Sequence, residues 1–408
     1  MKQDKPIIQT LMDTDRYKLS MQKAFLHHFP SAQARYRFKC RNDGVDLGRY
    51  ADEIREQVQH LDTLRFSPEE LGYLSGIPSL AGDYLDFLRD FRLDSRQVSI
   101  EARGHHLHIE AEGPLVHAMP FELYLLPIIQ EVFSRDTYPE EDYAEAGRRL
   151  EEKIALVRDS PDTADFRYAD FGGRRRQSRD WHDFTVRRQA EMLPENFIGT
   201  SNMWLAMKYG LAPIGTMAHE YLQAFQALEP RLVDSQKSAL QTWLSEFSGD
   251  LGVALTDVVG MDAFLRDLDL YFAELLHGYR HDSGQPVKWT WKLVRRLEEL
   301  QVDPSTKSAV YSDALTLVTA LALHRLLRHS VQPLFGIGTH LTNDFGRQPL
   351  NLVMKMVECN GQPVAKISDS PGKEMCDNAD FLHYLMQVFQ IPAKSKVWRE
   401  EAQFGLGA

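Results

Sequence analysis

Residues 196–220 read NFIGTSNMWLAMKYGLAPIGTMAHE, and their rhythm decides the fold class. Two short apolar runs break into small polar residues: Phe197-Ile198 into Gly199-Thr200-Ser201-Asn202, and Pro213-Ile214 into Gly215-Thr216-Met217-Ala218-His219-Glu220. Between them Met203 to Tyr209 spells a short helix ended by Gly210, which supplies a left-handed position after the last turn. The unit is strand, polar turn, helix, strand and polar turn. Parallel α/β architectures gather their chemistry at such strand ends, which places Thr200, Ser201, Thr216 and His219 on one side of the fold.

Working outward, the same beat recurs in FRYADFGGRRR (166–176), VALTDVV (253–259), GYRHDSG (278–284), AVYSDAL (309–315) and PLFGIGTHLTN (333–343). Apolar spacing places helices between them over 181–192, 239–247, 261–276, 287–300 and 315–327. Seven beats in one direction predict an α/β fold with an irregular β/α barrel, irregular because no eighth beat is present. The barrel is expected over 141–348, beside a smaller α/β domain built from 1–140 and from 349–408, which returns to it.

In the first segment Asp13 or Thr14 is positioned to cap a helix with the apolar face Leu19, Ala24, Phe25 and Phe29. Tyr17 and Lys18 then sit on its first turn, and the pattern alone leaves Tyr17 on the surface. Ala34 to Cys40 alternates as a half-buried strand does, 50–92 is helical with Pro68, Gly76 and Pro78 as punctuation, and 121–133 is a buried helix. Strands are expected over 98–109 and 113–117, with a hairpin turn at Gly104-His105. His105, His106 and His108 lack an obvious carboxylate partner and read as surface residues. At the other end, 350–358 and 362–367 form a hairpin joined at Asn360-Gly361.

The chain has 408 residues, 43% hydrophobic and 26% charged, which is ordinary globular composition. Its formal charge of −11, from 47 basic and 58 acidic residues, argues against nucleic-acid or membrane-surface partners. An anionic substrate therefore needs a local cluster of positive charge. The first residues are too charged for a signal peptide, and no stretch is long and apolar enough for a membrane span. Cys40, Cys359 and Cys376 lack zinc-ligand spacing and read as reduced thiols of a cytoplasmic protein.

Collected together, the strand ends offer Asp170, Phe171, Arg174, Thr200, Ser201, Thr216, His219, Asp257, Arg280, Asp282, Asp313, Gly336, Gly338 and Thr339. Arginines and a glycine-threonine turn suit phosphate or carboxylate oxygens, aspartates suit Mg²⁺ carried by a polyphosphate, and a histidine suits proton transfer or attack on phosphorus. Each has a bland alternative: glycine turns after strands are common, Arg174-Arg175-Arg176 can be a solvated turn, each aspartate can cap the next helix, and a lone histidine can be structural. Convergence on one mouth favours an enzyme acting on a phosphorylated substrate, and the pattern goes no further.

Six segments carry a resemblance. Asp15-Arg16-Tyr17-Lys18, Asp170-Phe171-Gly172 with Arg174, Gly199-Thr200-Ser201-Asn202, Gly215-Thr216-Met217-Ala218-His219, Arg280-His281-Asp282-Ser283-Gly284 and Phe335-Gly336-Ile337-Gly338-Thr339 resemble, in order, the motif set of the nicotinate phosphoribosyltransferases. Bacterial members of this type II phosphoribosyltransferase family look closest. The resemblance implies that nicotinate and 5-phosphoribosyl 1-pyrophosphate give nicotinate mononucleotide and pyrophosphate in NAD salvage, driven by ATP through a phosphohistidine at His219. It further implies that Phe171 lies against the pyridine ring and that Tyr17 closes the other face from the partner of a homodimer with shared active sites. Thr216 and Arg280 would hold the nicotinate carboxylate, with Arg174 in the same pocket. Ser201 stands where the related nicotinamide enzyme carries an aspartate. Thr339, Gly336 and Gly338 would bind the sugar 5-phosphate, and Asp257, Asp282 and Asp313 would share the ribose hydroxyls and hydrated Mg²⁺. The rivals are nicotinamide phosphoribosyltransferase and a non-catalytic sugar-phosphate sensor on the same fold.

Overall fold

Each of the seven beats forms its strand in the computed structural model, which describes residues 5–370 and 376–392. Three strands precede the barrel: β1 (Gln33–Cys40), β2 (Val98–Arg103) and β3 (His106–Pro114). The beats are β4 (Tyr168–Asp170), β5 (Phe197–Thr200), β6 (Ala212–Pro213), β7 (Val253–Leu255), β8 (Gly278–His281), β9 (Ser308–Tyr311) and β10 (Gln332–Ile337). All pair in parallel, in the order β6-β5-β4-β10-β9-β8-β7. The sheet curls around an aromatic interior in which Phe166 lies 5.6 Å from Tyr168 and 5.4 Å from Phe335, and Phe335 stacks on Tyr311 at 5.5 Å.

The missing eighth beat leaves β6 and β7 as the two edges of the sheet, unpaired with each other. Pro213 has no N–H to extend the ladder, and the seam is instead crossed by the Thr216 hydroxyl, which donates to the Val253 carbonyl at 2.9 Å. Gly199 has φ 151°, and a Cβ there would stand 2.1 Å from the Ala212 carbonyl oxygen, so β5 and β6 meet only because this residue is glycine.

A second sheet is antiparallel, in the order β12-β11-β1-β3-β2, with β11 (Leu352–Cys359) and β12 (Gln362–Pro363) drawn from the far end of the chain. Asn360 (φ 48°) and Gly361 (φ 74°) make the tight turn between them. The hairpin is shorter than its sequence predicts, because residues 364–370 leave the sheet and lace across the barrel. The Ala365 N–H donates to Gln226 at 2.8 Å, and the Ile367 N–H donates to the Val258 carbonyl at 2.7 Å.

Four expectations need correction. Strand β3 stops at Pro114 and residues Leu115–Ala118 form a helical turn, since proline cannot continue a ladder. The helix expected over 261–276 breaks in two, Met261–Asp267 and Leu270–Leu275, because the Asp269 side chain accepts from the Phe272 N–H at 3.1 Å and starts a new helix. The first helix, Arg16–His28, begins after Asp15 rather than Asp13 or Thr14, since the Asp13 carboxylate is taken by Arg176 at 2.6 and 2.8 Å. His105 is exposed, as the sequence implies, but Asp46 does partner it at 2.8 Å. The three cysteines are free, and among the described residues no helix is long and apolar enough to cross a membrane.

Candidate active site

Between the strand ends of the barrel and β11 lies a cleft of about 340 Å³, lined by Tyr17, Arg174, His219, Arg280, Asp282, Asp313 and Thr339 among the residues read from sequence. His219 opens the helix His219–Leu228 directly after the seam. Its Nε2 meets Asp257 Oδ1 at 2.8 Å, and Asp257 also accepts from Ser283 Oγ at 2.5 Å and from Lys366 Nζ at 2.9 Å. Burial, reinforced by the Lys366 ammonium, brings the His219 pKa down to about 4, so the imidazole is neutral near pH 7. Burial alone would raise Asp257, but His219 and Lys366 outweigh it and hold the carboxylate ionised. An ionised acceptor at Nε2 puts the ring proton there and leaves the lone pair on Nδ1.

Arg280, on β8, spreads its guanidinium over Ser312 Oγ (2.8 Å), Asp282 Oδ1 (3.0 Å) and the Met217 carbonyl (3.3 Å). Its Cζ lies 5.9 Å from the centre of the Phe171 ring. The fork is thereby held at the cleft wall beside an aromatic face. Asp282 is pulled up by burial but kept well below the carboxylate range by Arg280, His219 and Lys366.

Several sequence-read residues do other work. Gly336 is packed under Phe171, where a Cβ would stand 2.3 Å from the ring, so this glycine makes room for the aromatic. Gly338 and Thr339 stand at the start of the short turn Thr339–Thr342, and Thr339 faces the cleft. Ser201 is buried and donates to Asp15 Oδ1 at 2.8 Å, and it is not among the residues that line the cleft. Thr216 spends its proton on Val253 and cannot at the same time donate to a carboxylate, which leaves Arg280 as the charged half of the expected clamp. Tyr17 is 7% exposed and lines the cleft of its own chain. The surface position read from the pattern alone is thereby corrected.

The sequence reading missed a ring of charges. Arg41, Arg175, Lys355 and Lys366 join Arg174 and Arg280 on the walls, with Glu122 and Glu220 at the floor. Burial lowers Lys355 to about 8 against the pull of Glu122. No local signal marks Lys355, because Met354-Lys355-Met356 alternates as any half-exposed strand does. His219, Asp257 and Asp282 bring one nitrogen and two oxygens within 4.8 Å of one another. Lys366 already supplies the cation at Asp257, so this set suits a hydrated Mg²⁺ arriving on phosphates near Asp282 and Asp313 better than a protein-caged ion.

A parallel β/α barrel whose strand ends surround a neutral histidine with guanidinium, ammonium and carboxylate groups is an enzyme fold arranged for anionic, phosphorylated ligands. Residues 12–130 match the N-terminal domain model of the nicotinate phosphoribosyltransferase family, and residues 166–393 match the model of the family itself. The nicotinate phosphoribosyltransferase of Burkholderia mallei is 50% identical over 388 residues, covering 94% of this chain and 97% of that protein. That of Bordetella petrii is 51% identical over 389 residues, covering 95% and 99%. The crystal structure of the Vibrio cholerae enzyme superposes with a TM-score of 0.92 at 34% identity, covering 98% of each chain. The chain belongs to the nicotinate phosphoribosyltransferase family.

Proposed function

We infer that this cleft transfers phosphoribose from 5-phosphoribosyl 1-pyrophosphate to nicotinate, coupled to ATP hydrolysis through a transient phosphohistidine. The pyridine nitrogen attacks the anomeric carbon, the bond to pyrophosphate breaks, and nicotinate mononucleotide forms for NAD salvage. The observation that carries the reading is His219: a cleft-lining imidazole, neutral near pH 7, whose Nε2 is held by Asp257 at 2.8 Å beside a ring of cations. Attack of a ring nitrogen on the terminal phosphorus of ATP would expel ADP and give a phosphoramidate that water later cleaves. Arg280 and Arg174 supply the charge for the nicotinate carboxylate, with Phe171 and Tyr17 as the aromatic walls. Thr339, Gly338 and Gly336 would bind the 5-phosphate, and Asp257, Asp282 and Asp313 would share the ribose hydroxyls and hydrated Mg²⁺. Mg²⁺ would neutralise the departing pyrophosphate.

The cationic walls favour the acid over nicotinamide. The reading includes a homodimer, supported by the family resemblance; with Tyr17 supplied in cis, what remains for a partner to share is the open rim of the cleft. Free cysteines support a reducing, cytoplasmic setting. Isothermal titration beside a pyrophosphate-release assay tests the function: turnover with nicotinate, and at least tenfold less with nicotinamide, is expected. Binding of phosphoribosyl pyrophosphate without release would make the chain a sensor.

A further inference from the structure

At the floor of the cleft lies a buried charge cluster that no proposed substrate contact uses and that adjoins three residues of the proposed site. Lys18 is 2% exposed, Glu122 4% and Glu220 5%. The Lys18 ammonium meets Glu122 Oε2 at 2.8 Å, bonds Glu220 Oε1, and sits 5.9 Å from the centre of the Tyr17 ring. The other oxygen of Glu122 takes Arg174 at 3.3 Å. Glu220 follows His219 in the first turn of its helix. A residue of the first helix, one of the helix 121–137 and one of the helix 219–228 are thus joined at a single point.

We propose that the Lys18–Glu122–Glu220 cluster is a positioning unit that fixes Tyr17, Arg174 and His219 relative to one another. A buried ammonium between two carboxylates is a poor source of stability compared with apolar packing, but its hydrogen bonds have direction: two of the linked helices carry Tyr17 and His219, and Glu122 of the third holds Arg174. The inference rests on the reading of this cleft as the phosphoribosyl-transfer site. Lys18, Glu122 and Glu220 are positioning residues: their loss acts through Tyr17, Arg174 and His219.

The test pairs kinetics with folding. Glu220→Ala breaks the cluster outright. Lys18→Met/Glu220→Leu removes one charge of each sign and fills the space, leaving Glu122 with Arg174 and Lys355 (3.8 Å), so it is the variant expected to fold with an unchanged melting temperature. Its nicotinate KM is expected to rise at least tenfold, and the ring resonances of His219 to shift in a histidine-labelled NMR spectrum. Glu220→Gln, which keeps the shape and an acceptor for Lys18, is expected to fall between wild type and Glu220→Ala. Arg174→Ala serves as reference. A loss in Arg174→Ala with KM and the His219 resonances unchanged in Lys18→Met/Glu220→Leu would overturn the positioning role. A silent Arg174→Ala would overturn the placement of the site, and the positioning role with it.

Discussion

At the scale of single residues, the roles proposed for His219 and Arg280 rest on opposite electrostatic states. His219 is kept neutral by burial, with a pKa near 4. Label transfer from ATP to the wild-type protein should therefore be flat between pH 6 and 8 and fall only as the ring protonates near pH 4. A decline centred near pH 6.5 in a single-turnover profile would show an exposed, unperturbed ring instead. Arg280 stays charged and offers a planar fork, which Arg280→Lys would replace with a point charge. A charge-assisted hydrogen bond contributes about 1.5–3 kcal/mol, so the nicotinate KM of Arg280→Lys should rise about tenfold or more by that energy. An unchanged KM would remove Arg280 from the carboxylate site.

At the scale of elements, the open seam and the docking of the first helix are the points where the fold is exposed to test. Thr216→Val leaves the Val253 carbonyl without its donor and should cost about 1–3 kcal/mol in denaturant unfolding, with the nicotinate KM within twofold of wild type; a tenfold KM rise would return Thr216 to the clamp. Arg176→Met leaves Asp13, 3% exposed, with only Arg179 at 3.4 Å and Asn202 at 2.8 Å, and should destabilise the protein by up to about 3 kcal/mol. Burial would raise Asp13, but Arg176 and Arg179 hold its folded pKa well below the ordinary value. Its stabilisation is thus present above the unfolded pKa near 3.9 and lost as pH falls toward the folded value. The acid limb of a stability profile should accordingly be shallower in Arg176→Met. The strands were legible because each of the seven beats is local: an apolar run, a small polar break and a helix. The partners of Asp13, Ser201 and Thr216 were not, because each lies across the chain, 163 residues away for Asp13–Arg176 and 186 for Ser201–Asp15. The motif set pointed to the cleft, whereas its floor and two of its cations, Lys355 and Lys366, come from segments whose local pattern reads as helix, hairpin and solvated lysine.

At the scale of the molecule, an acidic protein of net charge −11 concentrates its cations at one mouth, which focuses field on anionic substrates. Because Tyr17 lies in the cleft of its own chain, mixing Tyr17→Ala with His219→Asn subunits should restore no ATP-coupled activity even after efficient exchange. Recovery would show that the ring acts in trans. Incubation with γ-labelled ATP decides whether the barrel mouth works through a phosphorylated His219. The wild-type protein should take up label that is lost in acid and retained in base, His219→Asn should take up none, and slower ATP-independent transfer should survive in that variant. Acid-stable label, or equal labelling and full ATP coupling in His219→Asn, would contradict the phosphohistidine route.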